Sequence, residues 1–397
     1  MVKRVVRIHL PAKKLFEDLT VLAKNLYNSA TYLVRQTFFK TGKILRYYSL
    51  WNIMKEKEEY LKLKTLAGAQ TPQQLLLMIN SAWKAYSATI KDWFINPNKY
   101  FTRPRIPGYQ PKNGKFIVIW SSQQVRIKDG TVRVTERLMK LGFPAVPIDN
   151  LVITETNYAI VRLKPFYDKY MLELVYEKKI PTIKVIDEQK ILGLDLGVNN
   201  LVATSDGLLI KGGIVKSINQ FFNKRKAKIQ AQISRQELKN SKRKQQLMRW
   251  RYNQLHDLLH KASRAIIRHC IMNHITTLVI GRNKNWKQNI RISRRNNQKF
   301  SSVPFHKLIQ MIQYKAEEQG IKVFLISEEY TSQTCSSCAS RSRSNRKHRG
   351  LFVCKKCFLV INADVNAARN IAKKAFPEFV RIGDSGCVAQ PTKLIAL

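Results

Sequence analysis

The sequence predicts a chain of several domains, with an α+β architecture in its first half and an α/β architecture in its second half. Three observations lead to this prediction. A helical segment interrupts the strands of the first half, three strands open the second half before strands and helices alternate, and two Cys-x-x-Cys pairs follow. The chain has 397 residues, 44% of them hydrophobic, which is enough for two or three domains with substantial cores.

Strand and helix patterns divide the first half. Polar and apolar residues alternate over 2–10, as in a strand, and residues 114–180 contain further strand-like runs separated by turn residues. Between them apolar residues recur at helical spacing, and Thr71 and Pro72 are of the types preferred at an N-cap and at the first helical position. The predicted helices span 14–40, 49–65 and 72–93. We expect a small β-barrel with this helical domain inserted into its first connection.

The second half begins with three strand-like runs between 190 and 214, joined by short turns that predict an antiparallel meander. A long helical region is expected at 216–275. After it, strands and helices alternate, with strands at 277–281 and 321–327 and helices at 304–319 and 364–375. Three antiparallel strands followed by this alternation are the order of an RNase H-like fold.

The charge of the chain is strongly positive, because 71 Lys and Arg face 26 Asp and Glu, for a net charge of +45. Such a charge requires an anionic partner, and a large RNA, alone or together with DNA, fits it better than one short DNA site. Charge alone leaves a structural RNA-binding protein open. No run of about 18 apolar residues and no signal peptide is present, so we expect a cytoplasmic protein without membrane contact.

The most basic stretch lies in the long helical region, where 224–251 contains eleven Lys or Arg and one Glu. We expect it to lie along nucleic acid, with Trp250 and Tyr252 as stacking groups. A helical hairpin with a solvated face is the alternative. The candidate contact residues here are Lys224, Arg225, Lys226, Lys242, Arg243, Lys244 and Arg249.

Four cysteines form two Cys-x-x-Cys pairs separated by 15 residues, which predicts a structural zinc site with four thiolate ligands. The other two cysteines, Cys270 and Cys387, stand alone, so the pattern indicates a reducing compartment and not a disulfide framework. The loop between the pairs is basic and suits phosphate contact, with Arg341, Arg343 and Arg346 among its residues. The predicted zinc ligands are Cys335, Cys338, Cys354 and Cys357.

Two aspartates have the setting expected of metal ligands in a nuclease. Asp195 follows an apolar strand, and its neighbours Gly193 and Gly197 leave the backbone open to a phosphate. Asp364 lies at the expected N-cap of the last helix. Read alone, each aspartate also fits a capping role. If one fold brings them together with a third acid, they can hold two Mg²⁺ ions, or Mn²⁺, for phosphodiester hydrolysis.

Five segments resemble the transposon-encoded TnpB proteins, RNA-guided nucleases related to type V CRISPR effectors. The last three are the most specific. The segments are Leu26-Tyr27-Asn28-Ser29-Ala30 with Val34-Arg35-Gln36, Arg105-Ile106-Pro107-Gly108-Tyr109, Gly193-Leu194-Asp195-Leu196-Gly197-Val198-Asn199-Asn200, Tyr330-Thr331-Ser332-Gln333-Thr334-Cys335-Ser336-Ser337-Cys338 and Asn362-Ala363-Asp364-Val365-Asn366-Ala367-Ala368-Arg369-Asn370-Ile371.

The resemblance implies cleavage of double-stranded DNA that is chosen by pairing with a guide RNA beside a short adjacent motif. A monomer bound to its RNA is the expected assembly. The implied domains are a wedge-like β-barrel at 1–10 and 100–185, a helical recognition domain at 11–99, a RuvC nuclease domain at 190–330 and 361–375, a zinc ribbon at 331–360, and a C-terminal tail at 376–397 that we expect to be flexible.

The third acid departs from much of the family, in which the second RuvC motif ends its strand with a glutamate. Here that strand ends at Gly281, and no acid follows directly. Glu328 and Glu329 precede Thr331 on the next strand, as in related chains with a relocated glutamate. If that strand continues, the two side chains point to opposite faces. The spacing to Thr331 favours Glu328, so the predicted catalytic and magnesium ligands are Asp195, Glu328 and Asp364.

Other functions remain open from the sequence. A nuclease-dead, guide-directed DNA-binding repressor would have the same scaffold, but it should have lost acids from the site. A CRISPR-associated effector would have the same chemistry with a different source of guide RNA. A zinc-ribbon accessory protein of transposition would not need the acids.

Overall fold

The computed structural model describes residues 2–148, 158–179, 190–282, 293–348, 350–378, 388–389 and 393–395. The chain divides into two compact units, Met1–Lys179 and Ile180–Leu397. Both combine helices with sheets, so the fold is mixed α/β. None of the described helices is long and apolar enough to cross a membrane.

The N-terminal unit contains a four-stranded and a three-stranded antiparallel sheet. In the larger sheet the first strand pairs along its whole length, from Val2 opposite Lys178 to Leu10 opposite Tyr170. The strands are β1 (Val2–Leu10), β2 (Val118–Ser121), β3 (Arg126–Lys128), β4 (Thr131–Arg133), β5 (Val146–Pro147), β6 (Tyr158–Phe166) and β7 (Lys169–Lys178). The sheet orders are β1-β7-β6-β2 and β3-β4-β5. The predicted strand at 2–10 is therefore confirmed, whereas the closed barrel stays a prediction.

The helices of this unit are α1 (Lys14–Thr41), α2 (Tyr47–Met54), α3 (Glu58–Ala67), α4 (Gln70–Ile95) and the short α5 (Glu136–Lys140). The prediction of one helix at 49–65 is wrong, because the chain turns between Met54 and Glu58. Thr71 is not an N-cap either. It lies inside the first turn of α4, and its buried hydroxyl donates to the Ala67 carbonyl at the end of α3.

The C-terminal unit is built on a sheet whose strands are β8 (Ile191–Asp195), β9 (Asn200–Thr204), β10 (Leu208–Lys211), β11 (Thr277–Gly281) and β12 (Lys322–Ile326). The first three are antiparallel neighbours, as predicted. β11 pairs in parallel with β8, and β12 pairs in parallel with β11, so that the order is β12-β11-β8-β9-β10. The strand order and directions agree with the sequence pattern.

The predicted helical region at 216–275 consists of two helices, α6 (Gly213–Arg235) and α7 (Lys242–Met272), that pack against each other. Between them the chain reverses. Glu237 adopts a positive φ of 53°, and the Ser241 side chain caps α7 by accepting from the Lys244 backbone N–H. Periodicity alone continues through such a reversal and does not reveal it. The remaining helices are α8 (Arg294–Ser301), α9 (Phe305–Glu318) and α10 (Ala363–Ala375).

A second, smaller sheet holds the cysteine pairs, with strands β13 (Arg346–His348), β14 (Leu351–Val353), β15 (Val360–Asn362) and β16 (Val388–Ala389). A last strand, β17 (Lys393–Ile395), adds to the edge of the main sheet in parallel with β10. The tail at 376–397 thus contains β16 and β17, which pair with β15 and β10, and its flexibility stays a prediction. The rest of the tail beyond residue 378, including Cys387, lies outside the described residues.

Candidate active site and metal centre

Three predicted acids line one cleft of about 520 Å³ in the C-terminal unit. Asp195 lies at the end of β8, Glu328 two residues after β12, and Asp364 in the first turn of α10. β8 and β12 both run parallel to the strand between them, so their carboxyl ends meet at one edge of the sheet. α10 packs on β8 and brings the third carboxylate to the same edge.

The close packing of α10 on the sheet depends on Gly193. A Cβ at this position would lie 2.1 Å from the carbonyl oxygen of Ala368, which is far inside contact distance. Gly193 therefore leaves room for a helix and not for a phosphate, and the prediction for this glycine is wrong. Gly197 does line the cleft, where a Cβ would lie 2.7 Å from the carbonyl oxygen of Asn200.

Asp364 is not the N-cap of α10. Asn362 has that role, because its side-chain oxygen accepts from the backbone N–H groups of Asp364 and Val365. The Asp364 carboxylate is thereby available to the cleft. Its oxygens accept from the amide of Asn200 at 2.8 Å and from the guanidinium of Arg346 at 3.1 Å. Arg346 was predicted only as part of the basic loop, and its contact with this acid was not expected.

Glu328 and Glu329 differ in burial, although both line the cleft. Glu328 is partly buried and Glu329 is exposed. The predicted alternation does not extend to them, because β12 ends at Ile326. Gly281 at the end of the neighbouring strand leaves space for the first of these acids, since a Cβ there would lie 3.2 Å from the Glu328 Cβ and 2.6 Å from Ile371.

The electrostatics of the cleft favour a bound cation. Desolvation by the surrounding protein, together with repulsion from Asp364 and Glu328, raises the pKa of Asp195 to about 8, and nearby Arg346 offsets only part of this shift. Desolvation also raises the pKa of Glu328 to about 7. Arg346 thus compensates the negative charge of the site only in part, and a divalent cation ligated by carboxylate oxygens would compensate it better.

The walls of the cleft carry residues that the sequence analysis missed. Lys216 on α6 and Lys299 on α8 add positive charge, and Phe300 and Tyr330 add aromatic surface. No local sequence signal marks Lys216, Lys299 or Phe300, because they reach the cleft only through the packing of distant helices, whereas Tyr330 begins one of the segments that resemble the TnpB proteins.

The four predicted zinc ligands form one cluster in which all four sulfur atoms lie within 4.8 Å of one another. The Sγ atoms of Cys335 and Cys357 are 3.6 Å apart, and those of Cys338 and Cys354 are 3.5 Å apart. Sulfur atoms placed about 2.3 Å from a tetrahedral zinc ion are separated by similar distances. The cluster can therefore hold zinc. Its four thiolates would fill all four coordination positions of a zinc ion, which is typical of a structural site.

The predicted nucleic-acid contacts fall on two surfaces of the C-terminal unit. Seven lie on α6 and α7, where most are exposed, although the Lys244 amine donates to Gln230. Trp250 packs edge-on against Phe221, and Tyr252 stacks with His256. The other two predicted contacts are in the basic loop between the cysteine pairs, where Arg341 and Arg343 are both exposed.

Two family models match parts of the chain. The model described as OrfB_IS605, "Probable transposase", matches residues 173–287, and the model described as Cas12f1-like, TNB domain, matches residues 305–371. The first match contains Asp195. The second contains Glu328, Asp364 and all four cysteines of the cluster.

Individual relatives have related names. The chain is 32% identical over 218 residues to the CRISPR-associated endodeoxyribonuclease Cas12f1 of Sulfoacidibacillus thermotolerans, covering 52% of this chain and 50% of that protein. It is 29% identical to InsQ of Escherichia coli, named for an RNA-guided DNA endonuclease activity, covering 51% and 53%. The chain thus spans about half the length of these two relatives.

A third relative matches over most of its length. The TnpB-like protein ORF457 of Acidianus two-tailed virus is 24% identical over 406 residues, and the match covers 89% of this chain and 82% of that protein. These findings confirm the resemblance to the TnpB proteins. Segments of the chain match the OrfB_IS605 and Cas12f1-like TNB models in that order, and its relatives are named as TnpB-like proteins and DNA endonucleases.

Proposed function

We propose that this chain is an RNA-guided DNA endonuclease encoded by a transposon, which cuts target DNA beside a short adjacent motif by hydrolysing phosphodiester bonds. The convergence of Asp195, Glu328 and Asp364 on one cleft carries the proposal. Carboxylates from three separate segments form a set of hard oxygen ligands of the kind that magnesium prefers. Relatives named as endodeoxyribonucleases and as RNA-guided endonucleases support the reaction class.

In this proposal the sheet β12-β11-β8-β9-β10 and helix α10 form an RNase H-like RuvC domain over 190–330 and 361–375, and 331–360 is its inserted zinc ribbon. The segments 1–10 and 100–185 form the wedge-like barrel in this proposal, and 11–99 forms the recognition helices. The strand order of the main sheet and the position of the four cysteines and strands β13 to β15 between β12 and α10 support this assignment.

Asp195, Glu328 and Asp364 would hold the magnesium ions, for which manganese can substitute, and Cys335, Cys338, Cys354 and Cys357 would hold one zinc ion. Magnesium, when bound, supplies the Lewis acid that activates water and stabilises the leaving oxygen. The chain itself contributes positive charge around the acids, because Lys216, Lys299 and Arg346 line the same cleft and can contact the phosphates of a bound strand.

The partners in this proposal are a guide RNA and the double-stranded target DNA. The net charge of +45 and the exposed basic residues of α6 and α7 support a large polyanionic partner. A CRISPR-associated effector differs only in the source of its guide. The transposase model and the TnpB-like relatives favour a transposon.

The test is to express the chain with the DNA that flanks its gene, purify it, and sequence the RNA that accompanies it. We expect one structured RNA with a variable end, and cleavage of DNA that matches this end in the presence of Mg²⁺. Asp195→Ala should lower cleavage at least about 10³-fold, a loss of ~4 kcal/mol in transition-state stabilisation, while the RNA still copurifies.

Two results would contradict the proposal: a protein that purifies without RNA and has no affinity for it, or cleavage by Asp195→Ala near the unsubstituted rate. An RNA that carries CRISPR-type repeats would replace the transposon with a repeat array as the source of the guide. Asp257→Ala is the matched control, because Asp257 is an exposed aspartate that forms an ion pair with Lys261 one helical turn away.

A further inference from the structure

Tyr330 has an unusual position at the wall of the acidic cleft. It lies two residues after Glu328 and its side chain is 53% exposed, although it lines the same cleft as the three acids. Its backbone φ is +66°, a left-handed conformation that is uncommon for a bulky residue other than glycine. A sequence selected for stability alone would favour glycine or asparagine here, so the aromatic ring requires another explanation.

A rigid turn supports this ring. The buried side chain of Asn370 on α10 donates to the carbonyl oxygens of Thr331 at 2.8 Å and of Thr334 at 2.6 Å. One helical turn earlier, Asn366 donates to the same Thr334 carbonyl at 2.8 Å. The helix that carries Asp364 therefore also holds the turn that carries Tyr330, through the carbonyls of Thr331 and Thr334.

Arg341 covers one face of the ring. Its guanidinium carbon lies 3.3 Å from the centroid of the Tyr330 ring, which is the separation of stacked planar groups. Arg341 comes from the loop between the two cysteine pairs, so the stack joins that loop to the wall of the cleft. The result is an exposed, flat, positively charged platform beside three carboxylates.

We propose that the Tyr330–Arg341 stack is a binding subsite for one unpaired nucleobase of the DNA strand whose phosphodiester enters the acidic cleft. This inference rests on the proposed nuclease function. An aromatic ring together with an arginine plane binds any base by stacking. Such stacking needs a base with a free face, so the subsite accepts a nucleotide that has left its duplex stack. Tyr330 is then a positioning residue that sets which phosphate lies over the acids.

The test combines protein variants with a modified DNA. The holoprotein with its RNA is assayed on target strands that each carry one abasic nucleotide near the cut. We expect one abasic position to slow DNA cleavage by the unsubstituted protein about tenfold. Tyr330→Leu should slow the cleavage of intact DNA by a similar factor, mainly through a higher KM. On the abasic strand the same substitution should slow cleavage by less than about a further twofold. Tyr330→Phe should retain cleavage within about twofold.

The matched control is Phe358→Leu. Phe358 is 76% exposed, has a φ of +59° and follows the last cysteine of the cluster, but it does not line the cleft. We expect this variant to cleave intact DNA within about twofold of the unsubstituted protein. Two results would overturn the subsite. In one, the rate reductions caused by Tyr330→Leu and by the abasic nucleotide multiply when the two changes are combined. In the other, the Tyr330→Leu variant cleaves intact DNA with full activity.

A binding measurement separates this proposal from the nuclease proposal. Single-stranded DNA with 2-aminopurine at the sensitive position is titrated with Asp195→Ala protein, which needs no cleavage. Stacking on an aromatic ring should quench the fluorescence of 2-aminopurine. A double variant with Asp195→Ala and Tyr330→Leu should not show this quenching. Quenching that survives this substitution refutes the subsite. Quenching lost with it supports the subsite, even if Asp195-dependent cleavage is never observed.

Discussion

The four cysteines and the three carboxylates are two clusters of metal-type ligands in one unit, and they are built in opposite ways. The cysteines come from one segment of 23 residues, 335–357, and their sulfur atoms saturate a tetrahedron. The carboxylates come from segments around 195, 328 and 364 and open into a cleft. A closed cluster suits a structural ion, whereas an open cluster leaves space for a substrate.

The two clusters are also mechanically connected. Asn366 accepts from the backbone N–H of Ser336 in the first cysteine pair at 2.9 Å, and it lies two residues after Asp364 on the same helix. Arg346, which follows the first cysteine pair, contacts the Asp364 carboxylate. The cysteine-bearing segment therefore contacts Asn366 and contains Arg346, two residues next to the acidic cluster. The comparison between the clusters can be tested by substitutions in either one.

The largest effect is expected from opening the closed cluster. Cys354→Ser should reduce the zinc content from about one ion per chain to none and unfold the surrounding sheet, because zinc binding supplies ~10–16 kcal/mol to small modules of this kind. Elemental analysis and limited proteolysis measure both outcomes. Cys270→Ala is the control, since Cys270 is buried in α7 and is not part of the cluster. A variant at 354 with full zinc content would show that the cluster is not the metal site.

The second effect concerns which glutamate completes the open cluster. Glu328→Gln should slow DNA cleavage about 10³-fold, because it removes a charged oxygen ligand worth several kcal/mol in the transition state. Glu329→Gln should remain within about threefold, because this side chain is exposed. Single-turnover cleavage rates at saturating Mg²⁺ distinguish them. The reverse result would assign the third ligand to Glu329, and unchanged rates in both variants would place it elsewhere.

The contrast between the clusters also explains what the sequence can predict. The cysteine cluster follows from spacing alone, because all its ligands lie in one short segment. The strands of the main sheet follow from their apolar runs and turn residues. The basic residues around the acids cannot be predicted in this way. Arg346, Lys216 and Lys299 reach the cleft through tertiary packing, for which no local pattern exists.

Two errors have a common physical origin. Gly193 accommodates a helix backbone, and Asn362 takes the cap that was expected at Asp364. In both cases the residue type fits the predicted local role, but the fold gives it another one. The Ala368 backbone lies against Gly193, and Asn362 supplies the cap while Asp364 contacts Asn200 and Arg346. The break between α6 and α7 is similar, because periodicity describes the faces of two packed helices without showing where the chain reverses.

The smallest effect tests the electrostatic side of the comparison. Surrounding protein and neighbouring acids raise the pKa of Asp195 to about 8, whereas an unfolded chain ionises this residue near pH 4. Between pH 4 and pH 8 Asp195 is therefore protonated in the folded protein and ionised in the unfolded chain. Its contribution to the free energy of unfolding thus falls progressively as the pH rises from about 4 to 8. Asp195→Asn removes this cost. Without Mg²⁺ it should raise the unfolding free energy by ~1–3 kcal/mol at pH 8 and by less at pH 5.

Thermal unfolding in zinc-containing, magnesium-free buffer measures the difference, which corresponds to a few degrees in Tm at pH 8. Asp257→Asn provides the control, because its carboxylate is exposed and pairs with a lysine on its own helix. Added Mg²⁺ should stabilise the unsubstituted protein more than Asp195→Asn, since bound cations offset the repulsion among the acids. A destabilised Asp195→Asn protein at pH 8, or a gain that does not change with pH, would show that the open cluster is already neutralised by its own protein groups, with Arg346 first among them.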